Sequence, residues 1–400
     1  MLSQPRGFWH LFGTDMIVRT GYQMGKTPAL PMFAAAIGAG ELMIGTIVAV
    51  STMNGMVAKP LIGALSDRWG RRLWFFAALI LFSGTPFLYQ LVETPEQLLA
   101  LRLFHGSATA IFGPVTLAMV AEMARAGRAT RLGWFEMARE FGYLAAPTIA
   151  GWMLLTFDDP ADVFTVIGLF SCLAFLPALF IRFEPTPLQA EPAGRPSIPR
   201  QLAAGFAHTA RRVEIWFAGV LEMTVYAVTY ALKAFLPLFV VQVAGFSWLD
   251  AGLFFTVQEA AHMATRPIGG RIGDRTGYLP AIAGGLALLA VALLWLPGVS
   301  GGAALLAVAV IGGVGQGMIF PSTVAMVGNA VGSGHLGLGL GIYGTMKNLG
   351  KVAGPLVAGA LLEFMAYEAL FRSLAGVAVV ASVGVLLAHR RQRPAAVEGS

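Results

Sequence analysis

Ionisable side chains interrupt the apolar runs of this chain, and they do so at helical spacing. Asp15, Arg19, Tyr22 and Lys26 step by four, three and four residues, which places them on one stripe of a helix. Glu136, Arg139, Glu140, Tyr143 and Pro147 make a second stripe. Lys347 and Lys351 stand one turn apart in a third run, Glu222 and Lys233 share a fourth, and Gln258, Glu259, His262 and Arg266 a fifth. An ionisable group at the centre of an apolar span costs about 2.5–3.5 kcal/mol on the insertion scale. Groups kept at that cost move protons, hold solutes, or neutralise one another as structural pairs such as Glu136 with Arg139. Glu259 and His262, three residues apart, are the first candidates for proton exchange, since a desolvated carboxylate beside an imidazole can trade a proton near neutral pH. The same histidine also reads as a hydrogen-bonded packing residue. Glu136 and Glu140 are the alternative acids, and Arg102 is placed to tune a neighbouring one. The expected solute-facing set is Arg19, Tyr22, Gln23, Lys26, Asn54, Arg139, Lys233, Gln258, Gln316, Lys347 and Lys351.

The elements that must carry these groups are membrane helices. Hydrophobic residues make up 56% of the 400 and charged residues 12%, about half the charge of an ordinary soluble domain. The apolar excess gathers into twelve spans, at 8–37, 42–64, 74–91, 97–121, 132–156, 161–182, 213–241, 248–269, 279–297, 302–328, 336–362 and 367–388. Each is long enough for a helix across a core of about 30 Å, and the alternation of a closed barrel is absent. The connections are short except for residues 183–212, whose prolines at 185, 187, 192, 196 and 199 read as a linker. The expected domains are therefore 1–182 and 213–400, six helices each, joined by a cytoplasmic linker, with a short basic tail.

The net charge of +6 collects in loops on one side, among them Arg68, Arg71, Arg72, Arg125, Arg128, Arg131, Arg271 and Arg275, while Glu41, Glu93, Glu96, Asp158 and Asp250 lie on the other. That bias predicts both termini in the cytoplasm of a multi-pass inner-membrane protein and needs no nucleic-acid partner. The first run, broken by Asp15, Arg19 and Lys26, does not read as a cleavable signal. One cysteine, Cys172, allows neither an internal disulfide nor a cysteine-rich metal site.

The two halves repeat. Lys59–Arg72 and Arg266–Gly277 carry the same loop, with Pro60 and Pro267, Gly63 and Gly270, Asp67 and Asp274, Arg68 and Arg275, and Gly70 and Gly277 each 207 residues apart. At the same offset Asp15 aligns with Glu222, Lys26 with Lys233, and Pro114–Val120 with Pro321–Val327. Lys26 and Lys233 are thereby expected to face each other across a pseudo-two-fold axis.

These residues resemble the major facilitator superfamily over nearly the whole chain. The family's loop motif, G-x-x-x-D-[RK]-x-G-[RK]-[RK], is met by Gly63, Asp67, Arg68, Gly70, Arg71 and Arg72, whereas the second copy ends in Tyr278 and Leu279. Arg102 and Gly106 meet the fourth-span motif, with His105 where the family often has glutamine. Gly133, Gly142, Pro147 and Gly151 meet the fifth-span motif, with Ala146 and Ala150 replacing two glycines. The eleventh span repeats it as Gly341, Gly350, Gly354, Pro355 and Gly359. The resemblance implies an all-α fold of two pseudo-symmetric six-helix bundles, with spans 3, 6, 9 and 12 outermost, and those spans carry no charge in their cores. It assigns proton coupling to the arginine matched by Arg102. It makes Gly63, Asp67, Arg68, Gly70, Arg71, Arg72, Asp274 and Arg275 a conformational latch, Asp67 meeting the N-terminal end of span 11 and Arg71 or Arg72 pairing with Glu122.

The expected function is secondary transport of a small organic solute by alternating access, coupled to protons and running outward, as the fifth-span motif implies. Seven basic groups within the spans outnumber five acidic ones, which points to an anionic or amphipathic substrate. A proton-coupled importer of organic anions and a non-transporting sensor or assembly protein are the alternatives. Nucleotide-driven pumping and enzymatic catalysis are not expected, since no Walker-type loop, metal-ligand cluster or nucleophile elbow is present. The expected partners are the small solute, protons and the lipid bilayer around a monomer, with no cofactor.

Overall fold

The computed structural model describes residues 6–123, 128–181, 183 and 212–392, and every element among them is a helix. Span 1 is built of two pieces, Arg6–Met24 and Ala29–Ala36, and Lys26 sits in the break between them. Spans 2 to 5 are Glu41–Trp69, Arg71–Gly84 with a tighter turn Thr85–Leu91, Pro95–Met123 and Arg128–Thr156. Span 6 is Pro160–Cys172 with Phe175–Ala178; the Asp159 carboxylate accepts the backbone N–H of Ala161 and starts it. Span 7 is Val213–Leu238, widening into the π-helical turn Phe239–Val243; spans 8, 9 and 12 are Trp248–Thr276, Tyr278–Trp295 and Tyr367–Gln392.

Eight segments among the described residues are long and apolar enough to cross a membrane. The spans outside that count are 1, 5, 8 and 11, and with them the chain has the twelve helices of the fold.

The sequence reads a loop between spans 10 and 11. The structure instead carries helical hydrogen bonding through the whole of Gly302–Leu362. A straight helix of this length would run about 90 Å. Yet the Thr323 and Tyr343 hydroxyls lie 2.9 Å apart, and Val327 packs with Tyr343. The chain therefore reverses between them, and its two arms are spans 10 and 11.

The connection from span 2 to span 3 is the single residue Gly70, and from span 8 to span 9 the single residue Gly277. Both have positive φ, 84° and 94°, with ψ of 139° and 151°, a region in which a Cβ is strained. This is what the repeated loop motif requires of its glycines. Gly277→Ala is expected to cost about 1–3 kcal/mol and to lower the thermal midpoint of the purified protein; an unchanged midpoint would contradict the strain.

Two compact units divide the chain. The first comprises Met1–Ala190, Leu232–Thr256 and Pro355–Ala360; the second comprises Glu191–Ala231, Val257–Gly354 and Leu361–Ser400. In the first unit Phe8, Leu11, Val18, Phe75, Phe82 and Phe112 form a buried core. In the second, Leu221 and Val225 pack on Ile282, Leu286, Ile319 and Val385.

The repeat also governs close packing. Gly45 lies against the Pro355 carbonyl and Gly252 against the Pro147 carbonyl, both within the first unit. Gly106 abuts Ser51, and 207 residues on, in the second unit, Gly313 abuts Gln258. The motif glycines do the same for neighbouring spans: Gly142 packs on Arg19 and Thr20, Gly350 on Met223 and Gly354 on Ala227. A side chain at any of these would meet backbone, so small residues let the helices touch.

Apolar side chains on spans 6 and 12 face outward, with Leu169, Leu173, Leu176 and Leu179 on one and Val377, Val380, Val383 and Leu387 on the other. Exposed leucine and valine on helices whose charges lie toward their ends are what a lipid-facing surface needs.

Candidate functional site

In the first unit the organising group is Arg102. Its guanidinium is 1% exposed and donates to the hydroxyls of Tyr89 (3.3 Å), Tyr22 (3.4 Å) and Ser51 (3.2 Å), one each from spans 3, 1 and 2. It also lies over the Tyr22 ring. His105, one turn on, shares the Tyr89 hydroxyl at 3.2 Å. The Arg102 Nε and the His105 Nε2 have no hydrogen-bond partner among the described residues, and no carboxylate pairs with this arginine there. Aromatic faces and hydroxyl dipoles supply what compensation the buried charge has.

Asp15, fully buried, takes the Arg19 Nε at 2.7 Å. Lys26 lies within electrostatic reach of Lys233, and of Arg102 and Lys59. The Lys233 ammonium is 5.2 Å from the Tyr143 ring centroid. Asn54 ties span 2 to span 4 by donating to the Leu103 carbonyl and the Ser107 hydroxyl, both at 2.9 Å. Gln23 is half-buried and its carbonyl accepts the backbone N–H groups of Lys26 and Thr27 at the break. Glu140 is half-buried on span 5. The side chains of Glu136, Arg139, Asp67, Arg68 and Glu122, and position Gly63, lie outside the described residues. So does nearly all of the expected linker 183–212. Arg72 packs over Phe183, Arg71 is half-buried, and Asp274 and Arg275 are exposed.

In the second unit, spans 7, 10 and 11 present three matched layers. Glu222, Tyr226, Thr229 and Tyr230 share one face of span 7; Thr323, Phe320 and Gln316 one face of span 10; Tyr343, Lys347 and Lys351 one face of span 11. In the first layer the Thr323 hydroxyl is 3.1 Å from Glu222 Oε2 and 2.9 Å from the Tyr343 hydroxyl. In the second, the Lys347 ammonium lies 4.5 Å from the Tyr226 centroid and 4.7 Å from that of Phe320. In the third, Gln316 donates to Thr229 at 3.1 Å, and Lys351 lies over Tyr230 (5.4 Å) and Tyr226 (5.1 Å). Each such cation–ring contact is worth about 0.5–2 kcal/mol, more where desolvated.

Glu222 is 1% exposed and its Oε1 has no hydrogen-bond partner among the described residues. The repeat shows how its setting differs from that of Asp15. Asp15 and Glu222 are equivalent, but the cation that neutralises Asp15, Arg19, is replaced in the second half by Tyr226. Glu222 therefore depends on the other arm of the hairpin, where Lys347 and Lys351 both act on it electrostatically. Sequence reasoning counted Glu222 among the charges in spans but left it out of the proton set. Its signal was the substitution of Arg19 by Tyr226 at the repeat offset.

Span 8 carries a third group. Glu259 Oε1 and His262 Nδ1 are 3.1 Å apart, and the Arg266 Nε donates to His262 Nε2 at 3.2 Å. An arginine nitrogen only donates, so Nε2 accepts and the ring proton sits on Nδ1, facing Glu259. Arg266 itself lies 5.1 Å from the Phe320 ring centroid. Gln258 is buried beside Gly312 and Gly313.

Comparison with known proteins shows the family. The model of the Major Facilitator Superfamily matches residues 16–305 and 251–400. The quinolone resistance protein NorA of Staphylococcus aureus is 24% identical over 368 residues, covering 88% of this chain and 90% of that protein. The multi-drug resistance efflux pump PmrA homolog of Lactococcus lactis is 24% identical over 357 residues, covering 86% and 85%. Among solved structures, the nucleoside transporter NupG superposes with a TM-score of 0.80 at 15% identity, over 96% of this chain and 99% of that one. A bacterial homolog of the human lysosomal transporter Spinster does so with 0.72, over 96% of each. With its repeated loop, its paired glycine helices and a family match from end to end, this multi-pass membrane chain belongs to the Major Facilitator Superfamily of transporters.

Proposed function

We propose that this transporter couples the movement of a small organic solute to protons, with Glu222 as the proton carrier. The observation that carries the proposal is a buried carboxylate with no cation one turn away on its own helix, set against two lysines of another helix. Such a group changes its interactions when it gains a proton, and alternating access needs a group of that kind to bias one state over the other. The Glu259–His262–Arg266 chain supports the same reading as a second protonatable element. Transport proceeds by rocking of two six-helix bundles, residues 1–182 and 213–400, joined by the cytoplasmic segment 183–212. Arg71, Arg72, Asp67 and Glu122 latch the cytoplasmic side. The protein is a monomer in the lipid of the cytoplasmic membrane, with both termini inside, as the arginine-rich loops require.

Two directions are open to this machinery, each with its own support. Export in exchange for protons follows the relatives, one named a quinolone resistance protein and the other a multi-drug resistance efflux pump homolog. Uptake of an organic anion together with protons follows the excess of Lys347, Lys351 and Arg266 over Glu222 and Glu259 around the rings of the second unit. Reconstituted vesicles carrying a pH-sensitive dye separate the two. An inward solute gradient that alkalinises the lumen identifies exchange, and one that acidifies it identifies co-transport. Solute flux with no proton movement would end the coupling proposal.

A further inference from the structure

Tyr226 and Phe320 are brought together from different helices by one ammonium group, that of Lys347, at 4.5 and 4.7 Å. Lys351 reaches Tyr226 from the next turn, and Arg266 reaches Phe320 from span 8. Three cations thus meet two aromatic rings, with Tyr230 6.1 Å beyond Tyr226. We propose that this seat binds an aromatic carboxylate, its ring against Tyr226 and Phe320 and its carboxylate between Lys347 and Lys351, and that filling the seat draws a proton onto Glu222. The second half rests on the reading of Glu222 as proton carrier; the first does not.

The charge of the ligand follows from the count of neighbours. A cationic ligand would meet Lys347, Lys351 and Arg266, against Glu222 and Glu259 among the described residues of the second unit. A ring face attracts an ammonium by its quadrupole but accepts no strong hydrogen bond, whereas a carboxylate offers two acceptor oxygens and charge-assisted bonds about twice as strong as neutral ones. The flatness of the ligand follows from the rings. Aromatic pairs are favoured at centroid separations of about 4.5–7 Å, so a planar ring gains from Tyr226 and Phe320 what a puckered one does not.

The sign of the proton linkage follows from which charges face Glu222. On span 11 these are Tyr343, Lys347 and Lys351. Span 10 contributes the Thr323 hydroxyl, and span 7 itself Tyr226 and Tyr230. The opposite side of span 7, Leu221 and Val225, packs on Leu279, Ile282, Leu286 and Val385, none of which titrates. Around Phe320 stand Glu259, His262 and Arg266. A carboxylate that takes the two lysines removes the cations compensating Glu222, and Glu222 then takes a proton. By reciprocity, a proton on Glu222 frees the lysines for the anion. Anion and proton bind together, which is the coupling of the uptake direction.

The test is titration calorimetry of the purified full chain with 2-naphthoate, in two buffers of different ionisation enthalpy, beside cyclohexanecarboxylate and 2-naphthylmethylammonium. The expected result is that naphthoate binds best, with close to one proton taken up per naphthoate. Lys347→Met and Lys351→Met each weaken it by about 10- to 100-fold, while Lys347→Arg, which keeps the charge, retains it. A cooperative thermal transition shows that each variant is folded. Glu222→Gln binds naphthoate with no proton uptake. Equal or tighter binding of the ammonium compound, no naphthoate binding at millimolar concentration, or proton release on binding would each overturn the proposal. Binding with proton uptake, but without flux in vesicles, would uphold the seat and sink the transport reading instead.

Discussion

Glu222→Gln is expected to abolish accumulation of solute against its gradient while exchange of labelled for unlabelled solute across the membrane persists. Glutamine keeps the shape and still accepts from Thr323 through its amide oxygen, so the first layer of spans 7, 10 and 11 remains packed. What it removes is the carboxylate whose bare oxygen can take a proton. Coupling between two sites in one protein is typically about 5–150-fold. With the proton site gone, uphill transport should fall by about 100-fold, at the upper end of that range. Asp15→Asn is the informative comparison, since Asp15 is the repeat equivalent but already holds Arg19 at 2.7 Å. Its loss should appear chiefly as lower stability, because it leaves a partly buried guanidinium without its acid. If the two substitutions had the same effect on coupling, the assignment of the proton to Glu222 would be wrong.

The second large effect is expected at Arg102. Its guanidinium joins span 4 to spans 1, 2 and 3 through Tyr22, Ser51 and Tyr89. Arg102→Lys should fail nearly as badly as Arg102→Met. The lysine ammonium is a point on a flexible stem, and it cannot present planar donors to three hydroxyls spread over three helices. Removing the donors leaves Tyr89 and Ser51 buried with fewer partners, at about 1–3 kcal/mol each. A fall in the thermal midpoint of about 5 °C or more, with transport reduced by about 100-fold, is the expected outcome. A lysine variant with normal flux would show that a positive charge alone suffices and that the fork geometry is irrelevant.

Much was legible before any coordinates. The run lengths and the loop arginines specify a polytopic helical chain, because a membrane tolerates few other arrangements. The 207-residue offset specifies the two related halves, and Gly70 and Gly277 announce their turns because no other residue tolerates those dihedrals. The Glu259–His262–Arg266 chain was likewise readable, since its members are neighbours on one helix and helical spacing decides their contact.

Contacts between helices were not readable in that way. Nothing in the order of residues says that Lys347 rests on Tyr226 and Phe320, or that Thr323 bridges Glu222 and Tyr343. Those partnerships depend on the rotation of each helix about its axis. That rotation is settled by close approaches such as Gly350 on Met223 and Gly354 on Ala227. Apolar composition alone thus determined that helices cross the membrane and roughly where. Only tertiary packing decided what compensates the second buried acid, because a cation one turn away in the first half had to come, in the second, from another helix.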